Sequence, residues 1–236
     1  MKALLQEIEF RAILGFLSIS RLPQSFFVMQ NSLFESIPPD CAITILPKDG
    51  SAEYYARYVP HEKSIDLMKQ LQASLLWEPD QLIMFGKKVT TRRKVAWVGD
   101  PNCSYTYSGV KKSPQSWTPE LLSIKSGLEE IAKSNFNSCL LNFYHDGDDG
   151  MGWHSDDEKE LDTTAPIASL SLGARRKFAF RHKIDKTTIS LFLENGSALI
   201  MRSPTQQSWQ HSLPKTKIVT TPRMNLTFRK IVIPHD

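Results

Sequence analysis

Residues 222–233 read PRMNLTFRKIVI, and from 223 to 229 the stretch alternates without a break. Arg223, Asn225, Thr227 and Arg229 fall on one side; Met224, Leu226 and Phe228 fall on the other. Successive side chains of a strand point to opposite faces, so this is a strand with one apolar and one strongly polar face. Two guanidiniums and an amide share the polar side. An edge strand with one wet face would carry them to solvent. A rigid strand presenting paired guanidiniums would instead grip a dicarboxylate through charge-assisted, bidentate bonds. Both readings are open at this point.

Upstream, LLNFYHDG offers a similar face, with Asn142 and Tyr144 on one side and Leu141 and Phe143 opposite. Asn and Tyr in such places are ordinarily satisfied core or rim residues. The runs CLLNFY, IASLSLG, KFAFRHK, TISLFL and SALIM are short, strand-like and separated by turn signals that include Asn195-Gly196. Helical spacing appears earlier. Ile65, Met68, Leu71, Leu75 and Leu76 predict a helix over 61–77. Thr118 as N-cap and Pro119 at the first helical position predict a second, running to about Ser134. Two helices followed by many short strands predict an α+β fold with a β-sandwich or jelly roll carrying the site.

The chain has 236 residues, 41% hydrophobic and 10% aromatic, which suits one core-forming domain with length to spare for an extension. No apolar run reaches the roughly 18–20 residues of a membrane span. Glu7, Glu9 and Arg11 interrupt the apolar start, which argues against a signal peptide or presequence and for an amphipathic helix. Residues 1–50 hold several prolines and the turn-like PKDGS without a sustained period, and read as an N-terminal extension before a domain over 51–236. Cys41, Cys103 and Cys139 stand far apart, which points to a reducing compartment and no zinc ribbon. The net charge of +4 is compatible with a polyanionic partner without requiring one. Basic residues gather at Lys87–Lys94, at Lys111 and Lys112, and from Arg175 to Lys186; acids concentrate between Asp146 and Asp162.

Within the acidic region, MGWHSDDEKE (151–160) places His154 two positions before Asp156. Alone, H-x-D is weak evidence, and His211 in SWQHSLPK read by itself is a structural histidine. Together they form the two-His, one-carboxylate set by which non-haem Fe(II) oxygenases hold iron, with positions left for a bidentate 2-oxo acid and O2. Such a site needs a basic anchor for the co-substrate's far carboxylate, and RMNLTFR provides one.

These segments resemble the AlkB 2-oxoglutarate/Fe(II)-dependent dioxygenases, and within them the branch that repairs alkylated duplex DNA. The resemblance covers roughly residues 52–236. It rests on LNFYHDGDDGMGWHSDDEKEL, PIASLSLGARRKFAFRHK, HSLPK and PRMNLTFRKI, in that order. It implies a double-stranded β-helix (jelly roll) core with flanking N-terminal helices, and Fe(II), 2-oxoglutarate and O2 as cofactor and co-substrates. His154, Asp156 and His211 would be the iron ligands. Arg223 and Arg229, helped by Asn142, Tyr144 and Asn225, would hold 2-oxoglutarate. Tyr107, with Tyr105 beside it in SYTYSG, would stack on the damaged base, where relatives often have Phe or Trp. Asp157 and Glu158 would look toward the base's exocyclic groups. Phe85 in IMFGK, between Met84 and Gly86, would be the wedge that fills the gap left by the flipped nucleotide, and Arg93 in the following basic run would contact phosphate.

The implied activity is oxidative demethylation of 1-methyladenine and 3-methylcytosine in DNA with release of formaldehyde. A base inside a duplex must be flipped first, at a cost of a few kcal/mol. The implied partner is alkylated duplex DNA, with RNA as the alternative substrate of an AlkB-type enzyme. The protein would be a monomer without a membrane role, cytoplasmic in a bacterium and nuclear in a eukaryote. A binding protein without turnover would have no need of every ligand and both arginines. A zinc hydrolase using the same histidines and carboxylate would leave Arg223 and Arg229 unexplained.

Overall fold

The structure is a computed structural model and describes residues 41–84, 87–103, 105–107 and 110–232. Two antiparallel sheets dominate it. The larger consists, in spatial order, of Ile43–Thr44 (β1), Ser51–Tyr55 (β2), Ala198–Arg202 (β12), Ile167–Gly173 (β9), Arg223–Arg229 (β14), Ser138–Tyr144 (β7), Lys87–Gly99 (β4) and Glu78–Met84 (β3). The smaller consists of Thr188–Leu193 (β11), Arg176–His182 (β10), Trp209–Leu213 (β13) and Met151–His154 (β8). A separate hairpin pairs Tyr105–Tyr107 (β5) with Val110–Lys112 (β6). From β7 onward the chain passes repeatedly between the two sheets, with β7, β9, β12 and β14 in the larger and β8, β10, β11 and β13 in the smaller. This is the winding of a double-stranded β-helix, or jelly roll.

The two-residue period of the strands sorts the core into two clusters. On β9, Ala168, Leu170 and Leu172 face one way and Ile167, Ser169 and Ser171 the other. The first set joins Met224, Leu226 and Phe228 of β14 and Leu141 of β7 beneath His61–Ser74 (α1) and Pro119–Ala132 (α2), whose Leu71, Leu121 and Leu128 are buried there. The second face looks at the smaller sheet. Tyr54, Leu199 and Met201 pack there against Phe180, Leu191 and Trp209, which fills one end of the sandwich with apolar side chains. The other end is lined by the polar faces of β7, β9 and β14.

Here β14 is a central strand. It pairs with β7 on one side and β9 on the other, so the open reading of a wet edge strand is excluded. α2 begins as expected, with the Thr118 hydroxyl accepting the Leu121 N–H at 3.3 Å, and ends where Lys133 turns left-handed at φ 55°. α1 stops at Ser74, short of the predicted 77: Leu75 turns extended, the Leu76 N–H donates to Gln115 Oε1 at 2.8 Å instead of continuing the helix, and Trp77 Nε1 donates back to Leu71 O at 3.3 Å. The sheet begins inside the segment read as an extension, with Ile43 paired to Tyr54 and Leu46 buried. The basic run from Lys87 is the first half of β4, whose apolar run starts only at Val95, one residue after pairing with β7 begins at Lys94.

Candidate active site

The facing strands β8 and β13 bring the histidines together. His154 is in register with His211 and Met151 with Leu213, three residues on one strand opposing two on the other. That bulge keeps both Met151 and His154 turned toward the interior, where regular alternation would have sent one of them outward. The His154 and His211 ring centroids lie 4.2 Å apart. With Asp156, just beyond β8, they offer three ligand atoms all within 4.8 Å of one another.

Each member is prepared for a cation. His154 Nδ1 lies 2.9 Å from Gly152 O, which can only accept, so Nδ1 is the donor there and Nε2 is the nitrogen left for a metal. Burial pulls the His211 imidazole down to about 4, so it is neutral at physiological pH, the state that binds metal. Its Nδ1 is buried with no hydrogen-bond partner. Burial by itself would raise the Asp156 carboxyl, but Arg229 and then the two histidines outweigh it and hold the group below the usual carboxylate range. Arg229 Nη2 donates to Asp156 Oδ1 at 2.7 Å, and the Asp156 N–H donates to Gln206 Oε1 at 3.0 Å.

Beside the triad lies the polar face of β14. Arg223 Nη2 donates to Ser171 Oγ and to Asn225 Oδ1, each at 2.9 Å, and its guanidinium sits 5.4 Å from the Tyr144 ring centre. Register places Asn142 opposite Asn225 and Tyr144 opposite Arg223. The Arg223 side chain is fully enclosed, and among the described residues it has no carboxylate partner. Burial accordingly pulls it down to about 10, still charged at neutral pH. Arg229 shows the contrast: burial pulls it down too, but Asp156 and Glu158 outweigh that and raise it. Arg223 is thus a buried cation without an anion, held rigid 2.9 Å from two hydroxyl or amide oxygens, and a ligand carboxylate would complete it.

The remaining expected residues fall in several places. Asp157 and Glu158 are exposed on the loop after β8, with Lys183 Nζ 3.8 Å from Asp157 and Arg229 Nη1 3.7 Å from Glu158. Tyr105 and Tyr107 lie on β5, paired with Lys112 and Val110. Phe85 lies outside the described residues. Arg93 is a correction. The expectation of a phosphate contact fails because its side chain turns inward from β4, is 4% exposed, pairs with Asp80 and donates to Met151 Sδ at 3.4 Å. Arg93→Ala would strand the Asp80 charge, and such loss costs about 3–5 kcal/mol. A melting curve should therefore fall by several degrees, while the salt dependence of DNA binding stays as in the wild type.

The sequence reading missed Gln206, Ser171 and Arg176. Arg176 is 1% exposed and donates to three carbonyl oxygens, those of Asp146, Asp149 and Pro214, at 2.8–3.0 Å. It ties the loop before β8 to the loop after His211. The alternation of IASLSLG could have flagged Ser171 as sharing a face with Ser169, but nothing local marks Gln206, which acts across 50 residues.

Comparison with known proteins agrees with this geometry. The model of the 2OG-Fe(II) oxygenase superfamily matches residues 51–229. Human DNA oxidative demethylase ALKBH2 is 40% identical over 202 residues, covering 82% of this chain and 74% of the relative. The Bos taurus protein of that name is 44% identical over 201 residues, covering 82% and 69%. Mouse alpha-ketoglutarate-dependent dioxygenase alkB homolog 3 is 37% identical over 187 residues, covering 75% and 65%. The solved structure of OsALKBH1 superposes with a TM-score of 0.57 at 18% identity, over 80% of this chain and 100% of that one, and shares the fold.

Proposed function

The chain belongs to the AlkB family of the 2OG-Fe(II) oxygenase superfamily, and from that premise we propose that it is an oxidative demethylase repairing N-alkylated bases in DNA, with 1-methyladenine and 3-methylcytosine as substrates. One observation carries the reading: a His-Asp-His ligand set meets a buried arginine that lacks an anion of its own. Two imidazoles and one carboxylate suit Fe(II), and leave positions for a bidentate 2-oxo acid. When bound, Fe(II) with 2-oxoglutarate and O2 supplies the oxidant for the N-methyl carbon, which leaves as formaldehyde while 2-oxoglutarate becomes succinate and CO2.

The protein's part is binding, orientation and the exclusion of water. Arg223, backed by Ser171, Asn225 and Tyr144, receives the far carboxylate of 2-oxoglutarate. Asn142 lines the same face, in register with Asn225. Arg229 and Gln206 keep Asp156 ionised and fixed in direction. The apolar cluster between the sheets fills one end of the sandwich, which leaves the polar end as the entrance for the base. Asp157 and Glu158 stand exposed on the loop beside that entrance, where a base's exocyclic groups would arrive, with Tyr105 and Tyr107 assigned to stacking. The relatives named DNA oxidative demethylase support the substrate class.

For the duplex habit, Phe85 is the residue assigned to the hole left by a flipped base. Formaldehyde release is to be measured with Fe(II), 2-oxoglutarate and matched methylated duplex, single-stranded and RNA oligonucleotides. Duplex DNA should be turned over well by the wild type. Phe85→Ala should slow it by roughly tenfold, with single strands little changed, because only a stack has a gap to fill. A preference for RNA would make the protein an RNA demethylase. No formaldehyde from any of these substrates would end the proposal.

A further inference from the structure

Ligands of a metal must be held in direction as well as in place, and two of the three here are held by hydrogen bonds. His154 has the Gly152 carbonyl at 2.9 Å, and Asp156 has Arg229 at 2.7 Å and Gln206 at 3.0 Å. His211 is the exception. Its Nδ1 is buried without a partner, and among the described residues no hydrogen bond to its ring is seen. A ligating imidazole ordinarily gives its second N–H to a carbonyl or carboxylate, which sets the rotation of the ring. Something else must set it here.

Rings surround it instead. Phe178 lies nearly parallel to His211, with centroids 5.4 Å apart and planes at 25°. Phe180 meets it edge-on at 6.3 Å and 67°, and His154 at 4.2 Å and 65°. We infer that Phe178 is the positioning residue for His211, its ring face opposing rotation of the imidazole in place of the missing hydrogen bond. A parallel ring resists that rotation best, because turning the imidazole drives its edge into the neighbouring face. Phe178 is itself fixed: it sits on β10, the strand paired with β13, and meets Phe180 edge-on at 5.2 Å and 81°. It also packs against the apolar cluster between the sheets. The same contact thus joins the core to the site.

The inference rests on His154, Asp156 and His211 being the metal ligands, and the test separates the two. Metal-free wild type, Phe178→Leu and Phe178→Tyr are titrated with Co(II) alone and followed by visible absorption, and the metal-free melting temperatures are compared. Leucine keeps apolar bulk without a ring face; tyrosine keeps the face. Phe178→Leu should bind Co(II) roughly five- to tenfold more weakly, with an altered spectrum at saturation. Phe178→Tyr should restore both. If Phe178→Leu melts much lower than wild type, Phe178→Met takes its place in the comparison. Wild-type affinity and spectrum in the leucine or methionine variant would overturn the role of Phe178 alone. So would a tyrosine variant that melts like wild type yet binds as weakly as leucine. A wild type that binds no Co(II), or one that binds as well after His211→Ala, would overturn the ligand assignment itself.

Discussion

Asp156→Ala is expected to lose formaldehyde release by on the order of a thousandfold or more, as when a member of a catalytic set that acts as a unit is removed. The loss has two sources that the structure lets one separate. One is chemical: the carboxylate supplies one of three ligand atoms and the only negative charge among them. The other is structural, because Arg229 donates to Asp156 at 2.7 Å from inside the sandwich. Without Asp156 that guanidinium is a buried charge whose one remaining carboxylate neighbour among the described residues is Glu158, 3.7 Å away and exposed. Breaking a buried pair by removing one partner costs about 3–5 kcal/mol.

Asp156→Ala should therefore melt lower than wild type as well as being inactive. The double variant Asp156→Ala, Arg229→Met removes both charges and should recover most of that stability without recovering any activity. Recovered turnover in the double variant would mean that Asp156 serves the fold and not the metal. Unchanged melting of the single variant would mean that the pair with Arg229 is open to water. Near wild-type formaldehyde release by Asp156→Ala would remove it from the ligand set.

The site was legible where chemistry repeats a short spacing, and hidden where it depends on long-range packing. His154 and Asp156 are two residues apart on one strand end, and Arg223, Asn225 and Arg229 alternate on another, so local periodicity sufficed to group them. That same periodicity could not say whether the polar face of β14 was wet, because burial is decided by the strands on either side and by the sheet opposite. Arg93 illustrates the failure. In KKVTTRRKV it reads as one of a basic run, and only the pairing of Lys94 with Phe143 turns it inward toward Asp80. Gln206 and Phe178 were illegible for a related reason: each acts on a residue more than 30 positions away, through a contact that exists only once the jelly roll has closed. The helices were legible from their caps and periods, and the end of α1 was misjudged because the Gln115 side chain, 39 residues away, captures the Leu76 backbone.

Arg223→Met should do two opposite things at once. In the wild type the protein holds a desolvated cation against Ser171 and Asn225 with no carboxylate to balance it, so the folded state without co-substrate bears that cost. Methionine fills a similar volume without charge, and the metal- and co-substrate-free variant should melt about 2–4 °C higher. Co-substrate binding should fall at the same time. A carboxylate entering that pocket would lose the unpaired cation it meets there, a loss of about 3–5 kcal/mol, or roughly two to four orders of magnitude in affinity for 2-oxoglutarate. The wild type should gain melting temperature on adding the inhibitor N-oxalylglycine with Mn(II), and the variant should gain far less. DNA affinity should not move, since Arg223 is enclosed and out of reach of phosphate. A variant that is less stable than wild type but binds 2-oxoglutarate as well would make Arg223 a structural cation satisfied by its hydroxyl and amide neighbours. Equal weakening toward DNA and co-substrate would place it at the nucleic-acid surface instead. Only higher stability together with lost co-substrate affinity identifies a cation kept in the interior, at the fold's expense, for an anion that arrives with the reaction.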